Sequence, residues 1–163
     1  MGECELERLC AELVALYTDR NLTIATAESL TAGLTSSSIA AVPGASAVLR
    51  GGAVTYCDEI KHRVLGVSRR TLDTCTAVSL ETAREMASGA RALFGADFAV
   101  SLTGYAGPGG GTADDPAGTV YIGLASAHGV EAARYVFTGD RNEVRRSASL
   151  QAVKLLVDAI LQF

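Results

Sequence analysis

A serine attacks a carbonyl only where a base can take its proton. The segment Thr26-Ala-Glu-Ser-Leu-Thr-Ala-Gly33 places Ser29 at the junction of two unlike stretches. Before it, Leu22–Thr26 reads as a short buried strand; after it, Leu30–Val42 reads as a helix of small residues closed by Pro43-Gly44. Two readings stand for such a hydroxyl: a helix cap that satisfies a free amide, or a nucleophile presented on a strand-to-helix turn. Lys61 is the candidate base. The chain has one other lysine, Lys154, deep in the terminal helix, and its remaining basic side chains are arginines, which keep their proton. Burial or a neighbouring cation would fit Lys61 for the task; the alternative is an ordinary solvated helix charge. The histidines are worse placed. His128 falls in an expected hairpin turn, and His62 points roughly 100° away from Lys61 around the same helix. Tyr56 is either a plain strand aromatic or a phenol that orders the serine and lysine. Cys57 is a lesser candidate nucleophile, since free cysteine more often fills space.

Two further features could hold an anion. The loop Gly104-Tyr-Ala-Gly-Pro-Gly-Gly-Gly111 follows Thr103 at a strand end but matches neither common nucleotide fingerprint. Its glycines would still let backbone amides approach an oxyanion or phosphate. The last helix opens with Asp140-Arg-Asn-Glu143, a capping-box pattern, and carries Arg141, Arg145 and Arg146 in its first turns. Cations at a helix N-terminus oppose the macrodipole. Arg141 and Arg145 share a face, so either a bound phosphate or nearby acids such as Glu143 must answer them.

The elements that must position these residues alternate. A helix over 4–18 puts Leu6, Leu9, Leu13, Leu16 and Tyr17 on one face. The strand before Ser29 follows, then a glycine-interrupted strand over 47–56, a helix from Asp58 to Leu65 ending at Gly66, and a brief turn capped by Ser68. Ser79 caps a longer helix, Leu80–Phe94, ended by Gly95. A third strand, Asp97–Thr103, enters the glycine loop. Gly118–Ser126 and Val130–Thr138 form a hairpin, and Arg141–Leu161 closes the chain. The expected architecture is one domain over 1–163: a three-layer α/β/α sandwich on a mixed, mainly parallel sheet with one antiparallel hairpin. Ser29, Tyr56 and Thr103 then converge at the carboxyl ends of strands, where open α/β sheets bind ligands.

Composition narrows the function classes. The chain is 163 residues long, 48% hydrophobic and 20% charged, with a net charge of −4, which argues against nucleic-acid binding. Its four cysteines and two histidines show no zinc spacing, and a chain able to build its own core has little need of a disulfide framework. The acidic N-terminal residues do not form a signal peptide, and no apolar run reaches the roughly 18 residues of a membrane span. The expectation is a reduced, cytoplasmic protein with no metal site.

Five blocks in order carry a resemblance: Ala27–Gly33, Val54–Lys61, Leu102–Pro108, Pro116–Val120 and Gly139–Arg146. Together, over roughly residues 5–162, they resemble the C-terminal domain of the competence-damage-inducible CinA family. The resemblance implies an amidohydrolase that converts nicotinamide mononucleotide to nicotinic acid mononucleotide and ammonia, without cofactor, as a homodimer. Larger members carry a further N-terminal domain, and the chain is similar to the stand-alone enzyme. Carried over by motif, Ser29 is the nucleophile and Lys61 the base, with Tyr56 and Thr103 in the active centre. Thr31, Gly33, Gly104, Ala106, Gly107, Arg141 and Arg145 are the implied substrate contacts. Ala32, Cys57, Tyr105 and Asp115-Pro116-Ala117 depart from the family pattern, the latter two in the implied substrate loop. The rival reading is a noncatalytic nucleotide-binding module that acts through a protein partner.

Overall fold

The computed structural model describes residues 2–163, with side chains from residue 5; Met1 and the Cys4 thiol lie outside the described residues. Five strands form one sheet: β1 (Ile24–Glu28), β2 (Leu49–Val54), β3 (Phe98–Gly104), β4 (Thr119–Ser126) and β5 (Gly129–Val136). Their spatial order is β2-β1-β3-β4-β5. The pairs β1·β2 and β1·β3 are parallel, whereas β3·β4 and β4·β5 are antiparallel. The sheet is therefore mixed as expected, with a parallel core and an antiparallel edge.

Helices cover both faces. On one side lie α1 (Gly2–Asp19), α2 (Leu34–Ala40) and α6 (Arg141–Leu161); their buried Leu13, Ile39 and Leu156 join Ile24 and Val100 in one apolar core. Tyr17 closes that layer by donating its hydroxyl to the Leu156 carbonyl at 2.8 Å. On the other side lie α3 (Asp58–Leu65), α4 (Arg69–Cys75) and α5 (Leu80–Phe94), with Leu65, Leu72, Met86 and Ala90 packed on Ala25, Ala27 and Ala99. All five residues of β1 are buried, as befits a parallel strand covered on both faces.

Small residues let the layers approach. A Cβ on Gly51 would strike the Phe94 ring, and one on Gly52 would strike Ser36 and Thr26. The glycines that interrupt β2 are thus sites of close helix packing. Ser68 and Ser79 cap α4 and α5 through Thr71 N and Thr82 N, and α6 opens with a complete capping box of Asp140 and Glu143.

Several boundaries differ from expectation: β1 covers Ile24–Glu28 where Leu22–Thr26 was expected, and two other segments change their structure. The helix after Ser29 does not run over Leu30–Val42: residues 30–33 form a turn, with Ala32 at φ 48° and Gly33 at φ 96°, and helix begins only at Leu34. Successive left-handed residues cannot start a right-handed helix. The strand expected over 47–56 is shortened at its start by a 3₁₀ turn at Ala45–Ala47.

No helix among the described residues is long and apolar enough to cross a membrane. Cys10, Cys57 and Cys75 are free thiols, and burial raises the Cys10 pKa to about 11.

Candidate active site

The connection leaving β1 runs to β2 on one side, while that leaving β3 runs to β4 on the other. The carboxyl ends of β1 and β3 therefore flank a switch point, the expected place for a ligand crevice. Ser29 follows β1 directly, and its amide donates to the Leu102 carbonyl of β3 at 2.9 Å. That bond joins the Ser29 turn to the neighbouring strand. It also removes the Ser29 amide from any role as an oxyanion donor.

Lys61 reaches the same point from α3, which places it one turn inside the helix. Its side chain is 2% exposed, with Nζ 3.1 Å from Ser29 Oγ and donating to the Thr55 carbonyl at 3.0 Å. Desolvation holds the Lys61 ammonium below the ordinary lysine range; Asp58 and Cys57 oppose the shift in smaller measure. A neutral amine has two N–H donors and one lone pair. With Thr55 taking one donor, the lone pair can accept the Ser29 hydroxyl proton. The arrangement suits proton abstraction from serine. His62 is committed elsewhere, its Nδ1 lying 2.8 Å from the Val67 carbonyl.

The remaining expected site residues divide into groups. Tyr56 is exposed, and its hydroxyl accepts from Arg141 Nη2 at 3.0 Å. Arg141 Nη1 donates to the Gly107 carbonyl, also at 3.0 Å, so this guanidinium spans from the segment after β2 to the glycine loop. Ala106 is buried beside that carbonyl. A Cβ on Gly104 would overlap the Thr119 carbonyl, so the loop leaves β3 tight against β4. Thr103 is buried, and its hydroxyl donates to the Ala77 carbonyl at 2.6 Å, not to Ser29 or Lys61. Gly33 ends the turn after Ser29 against Val54.

Arg145 turns away from its neighbour on the helix. Nε donates to the Leu30 carbonyl and Nη2 to the Thr31 carbonyl, each at 3.0 Å, while Nη1 donates to Asn142 Oδ1 at 3.2 Å. The two arginines share a face but not a target. The end of α6 between them is capped internally: the Asp140 carboxylate takes the Glu143 amide at 2.9 Å, and Glu143 takes the Asp140 amide at 2.7 Å.

Glu28 was not foreseen. This fully buried carboxylate, one residue before Ser29, accepts from the Thr35 and Ser36 amides at 2.8 and 3.1 Å and from the Thr26 hydroxyl at 3.2 Å. It caps α2 and fixes where the turn after Ser29 ends. An acid inside an otherwise apolar and small-residue strand was the available signal. Asp115 acts at the far arm of the glycine loop, accepting from Tyr121 Oη at 3.0 Å and from Arg134 Nε at 2.9 Å. This departure from the family pattern therefore anchors the loop to β4 and β5.

A family model of the CinA C-terminal domain matches residues 6–160. The chain belongs to the CinA family. It is 44% identical over 155 residues to a CinA-like protein of Geotalea uraniireducens (strain Rf4), covering 95% of this chain and 37% of the relative. A putative competence-damage inducible protein of Caldanaerobacter subterraneus subsp. tengcongensis is 43% identical over 144 residues, covering 88% and 35%. The CinA domain here thus spans little more than a third of the curated relatives it matches. Among solved structures, a competence/damage inducible protein, CihA, of Agrobacterium tumefaciens superposes with a TM-score of 0.93 at 38% identity, over 97% of this chain and 96% of that one. A CinA superfamily protein of Klebsiella pneumoniae 700603 gives the same TM-score at 34% identity, over 97% and 99%.

Among the described residues, no group of three or more His, Cys, Asp or Glu side chains is placed to hold a metal ion. A cavity of about 570 Å³ lies against Phe98, Leu124, Leu155 and Phe163, at the opposite end of β3 from the serine and lysine.

Proposed function

We propose that this CinA domain is a serine–lysine amidohydrolase acting on the carboxamide of nicotinamide mononucleotide. The observation that carries the reading is the buried Lys61 amine 3.1 Å from Ser29 Oγ. Ser29 Oγ attacks the carboxamide carbon as Lys61 accepts the hydroxyl proton. Backbone amides near the turn stabilise the oxyanion, a contribution worth several kcal/mol (about 3–4 per donor) in comparable sites. Lys61 then gives the proton to the departing ammonia, leaving an acyl-enzyme. Water, deprotonated by the same amine, hydrolyses the ester and releases nicotinic acid mononucleotide. Each group returns to its starting state, and the protein's own residues supply every proton transfer.

The substrate identity rests on the family resemblance, and Arg141 supports it. This exposed guanidinium stands between Tyr56 and the glycine loop and has no carboxylate partner among the described residues. It is the group best disposed to meet a 5′-phosphate, exchanging its neutral partners for an anion. A homodimer belongs to the same reading and is checked by sedimentation velocity. The reading itself is tested by incubating the protein with nicotinamide mononucleotide and resolving the products by chromatography. Nicotinic acid mononucleotide should accumulate without added nucleotide triphosphate. Binding of the nucleotide without conversion would favour the binding-module alternative.

A further inference from the structure

We propose that Arg145 is a positioning residue that aims the Leu30–Thr31 peptide N–H at the oxyanion, and that it does not hold substrate phosphate. The inference rests on the serine–lysine reading above and adds a role for one residue of that site.

Every nitrogen of the guanidinium is engaged from inside the protein. Its three nitrogens meet Leu30 O, Thr31 O and Asn142 Oδ1. Both backbone acceptors belong to the turn immediately after Ser29. A planar fork that grips two successive carbonyls fixes two peptide planes at once.

The consequence follows from peptide geometry. In a trans peptide the C=O and the following N–H point in opposite directions. Holding the Leu30 carbonyl toward Arg145 therefore turns the Thr31 N–H away from it. The same logic applied to the next peptide is confirmed internally: with the Thr31 carbonyl held by Arg145, the Ala32 amide donates to the Ser29 carbonyl at 3.0 Å. The Ser29 amide is consumed by Leu102 O. The Leu30 and Thr31 amides, one and two positions beyond Ser29, both lack an acceptor among the described residues, and the Thr31 amide belongs to the peptide whose carbonyl Arg145 holds. A fixed, unpaired N–H on a nucleophile turn is what oxyanion stabilisation needs, because its orientation costs nothing at the moment of reaction. Glu28 holds the far end of the same turn through Thr35 N and Ser36 N, and the Thr31 carbonyl also accepts from the Leu34 amide at 3.0 Å; Arg145 is the one group among the described residues that holds the Leu30 carbonyl.

A phosphate ligand and a positioning residue respond differently to the substrate's phosphate. The experiment compares wild type with Arg145→Lys on nicotinamide mononucleotide and on nicotinamide riboside, which lacks the phosphate. Lysine keeps the charge but cannot span two carbonyls. The expected result is a fall in kcat of about tenfold to a hundredfold on both substrates, with KM nearly unchanged. A rise in KM on the mononucleotide alone would overturn the proposal.

Two measurements do not depend on the natural substrate. Diisopropyl fluorophosphate is neutral and modifies an activated serine: the Ser29 O–P bond forms, P–F breaks, fluoride leaves, and Lys61 takes the proton. Labelling should slow in Arg145→Lys by about the same factor as kcat; equal labelling rates would overturn the proposal. In the labelled wild type, the phosphoryl oxygen occupies the oxyanion position. The Thr31 amide should then exchange more slowly with solvent and shift downfield in its proton resonance, and an unchanged Thr31 amide would overturn the proposal even if the variant failed to fold. Should the wild type label yet release no product from the mononucleotide, the substrate assignment fails while the role of Arg145 is still decided.

Discussion

Lys61 and Ser29 come from different crossover units yet meet at 3.1 Å, with the lysine amine sealed from solvent and tied to the Thr55 carbonyl. Burial is what makes a lysine useful here, because it favours the neutral amine that can accept a proton. The same burial costs stability whenever the amine is charged. Activity and stability are therefore linked to pH through one group.

Activity should rise with pH as Lys61 loses its proton and level off above a pKa held below the ordinary lysine value of 10.5. In the window between the folded pKa and that value, the unfolded chain binds the extra proton. Stability should therefore increase with pH across the window. Below it both states are protonated and the full cost of the buried charge is present. Denaturant unfolding of wild type and Lys61→Met across the alkaline range checks the sign: the wild type should gain on the variant as pH rises. A pH-independent difference would contradict the shift. Lys61→Arg should be inactive at every pH, since arginine cannot act as the base.

Glu28 satisfies the first amides of α2 from inside the sheet. Glu28→Gln should turn an amide donor toward one of those N–H groups, at a cost of about 1–3 kcal/mol. The melting temperature should fall by roughly 2–12 °C for a chain of this size. Activity of the folded fraction should fall with it, because the nucleophile turn ends on this carboxylate. Calorimetry and turnover assays on the same samples check both.

Gly89 lies on α5 where a Cβ would overlap the Leu65 carbonyl at the end of α3. Gly89→Ala must push α3 outward, carrying Lys61 with it. Overpacking of this kind costs about 1–3 kcal/mol. The distinctive outcome is a loss of kcat from a site that touches no substrate. Unchanged kcat in a destabilised variant would mean that Lys61 tolerates the displacement.

Arg141→Ala should raise KM for nicotinamide mononucleotide roughly tenfold or more, as expected for a charge-assisted contact. KM for nicotinamide riboside should stay within error. Inorganic phosphate should compete with the nucleotide in wild type and not in the variant. Equal effects on both substrates would assign Arg141 to the loop rather than to the phosphate.

Much of the fold was legible because its signals are local. Ser68, Ser79, Asp140, Gly66 and Gly95 mark helix ends by capping chemistry, and the observed ends follow them. The turn after Ser29 was not legible, because Ala32 gives no warning of a left-handed backbone and small residues read as helix. The pairing of Ser29 with Lys61 could be anticipated from the scarcity of lysine. The separate targets of Arg141 and Arg145 could not: helical spacing says which side chains share a face, not which carbonyls they will reach. Nor does spacing show that Glu28 would turn back onto α2, since that contact depends on the left-handed turn between them.

The most direct measurement is ammonia release from nicotinamide mononucleotide by wild type and Ser29→Ala, compared on equally folded protein. Steady release by wild type, with a loss of at least about a thousandfold in Ser29→Ala, is the expected result. Comparable release by the two proteins would contradict the assignment of Ser29 as nucleophile. No release by either, in protein that still binds the nucleotide, would contradict the amidohydrolase reading itself.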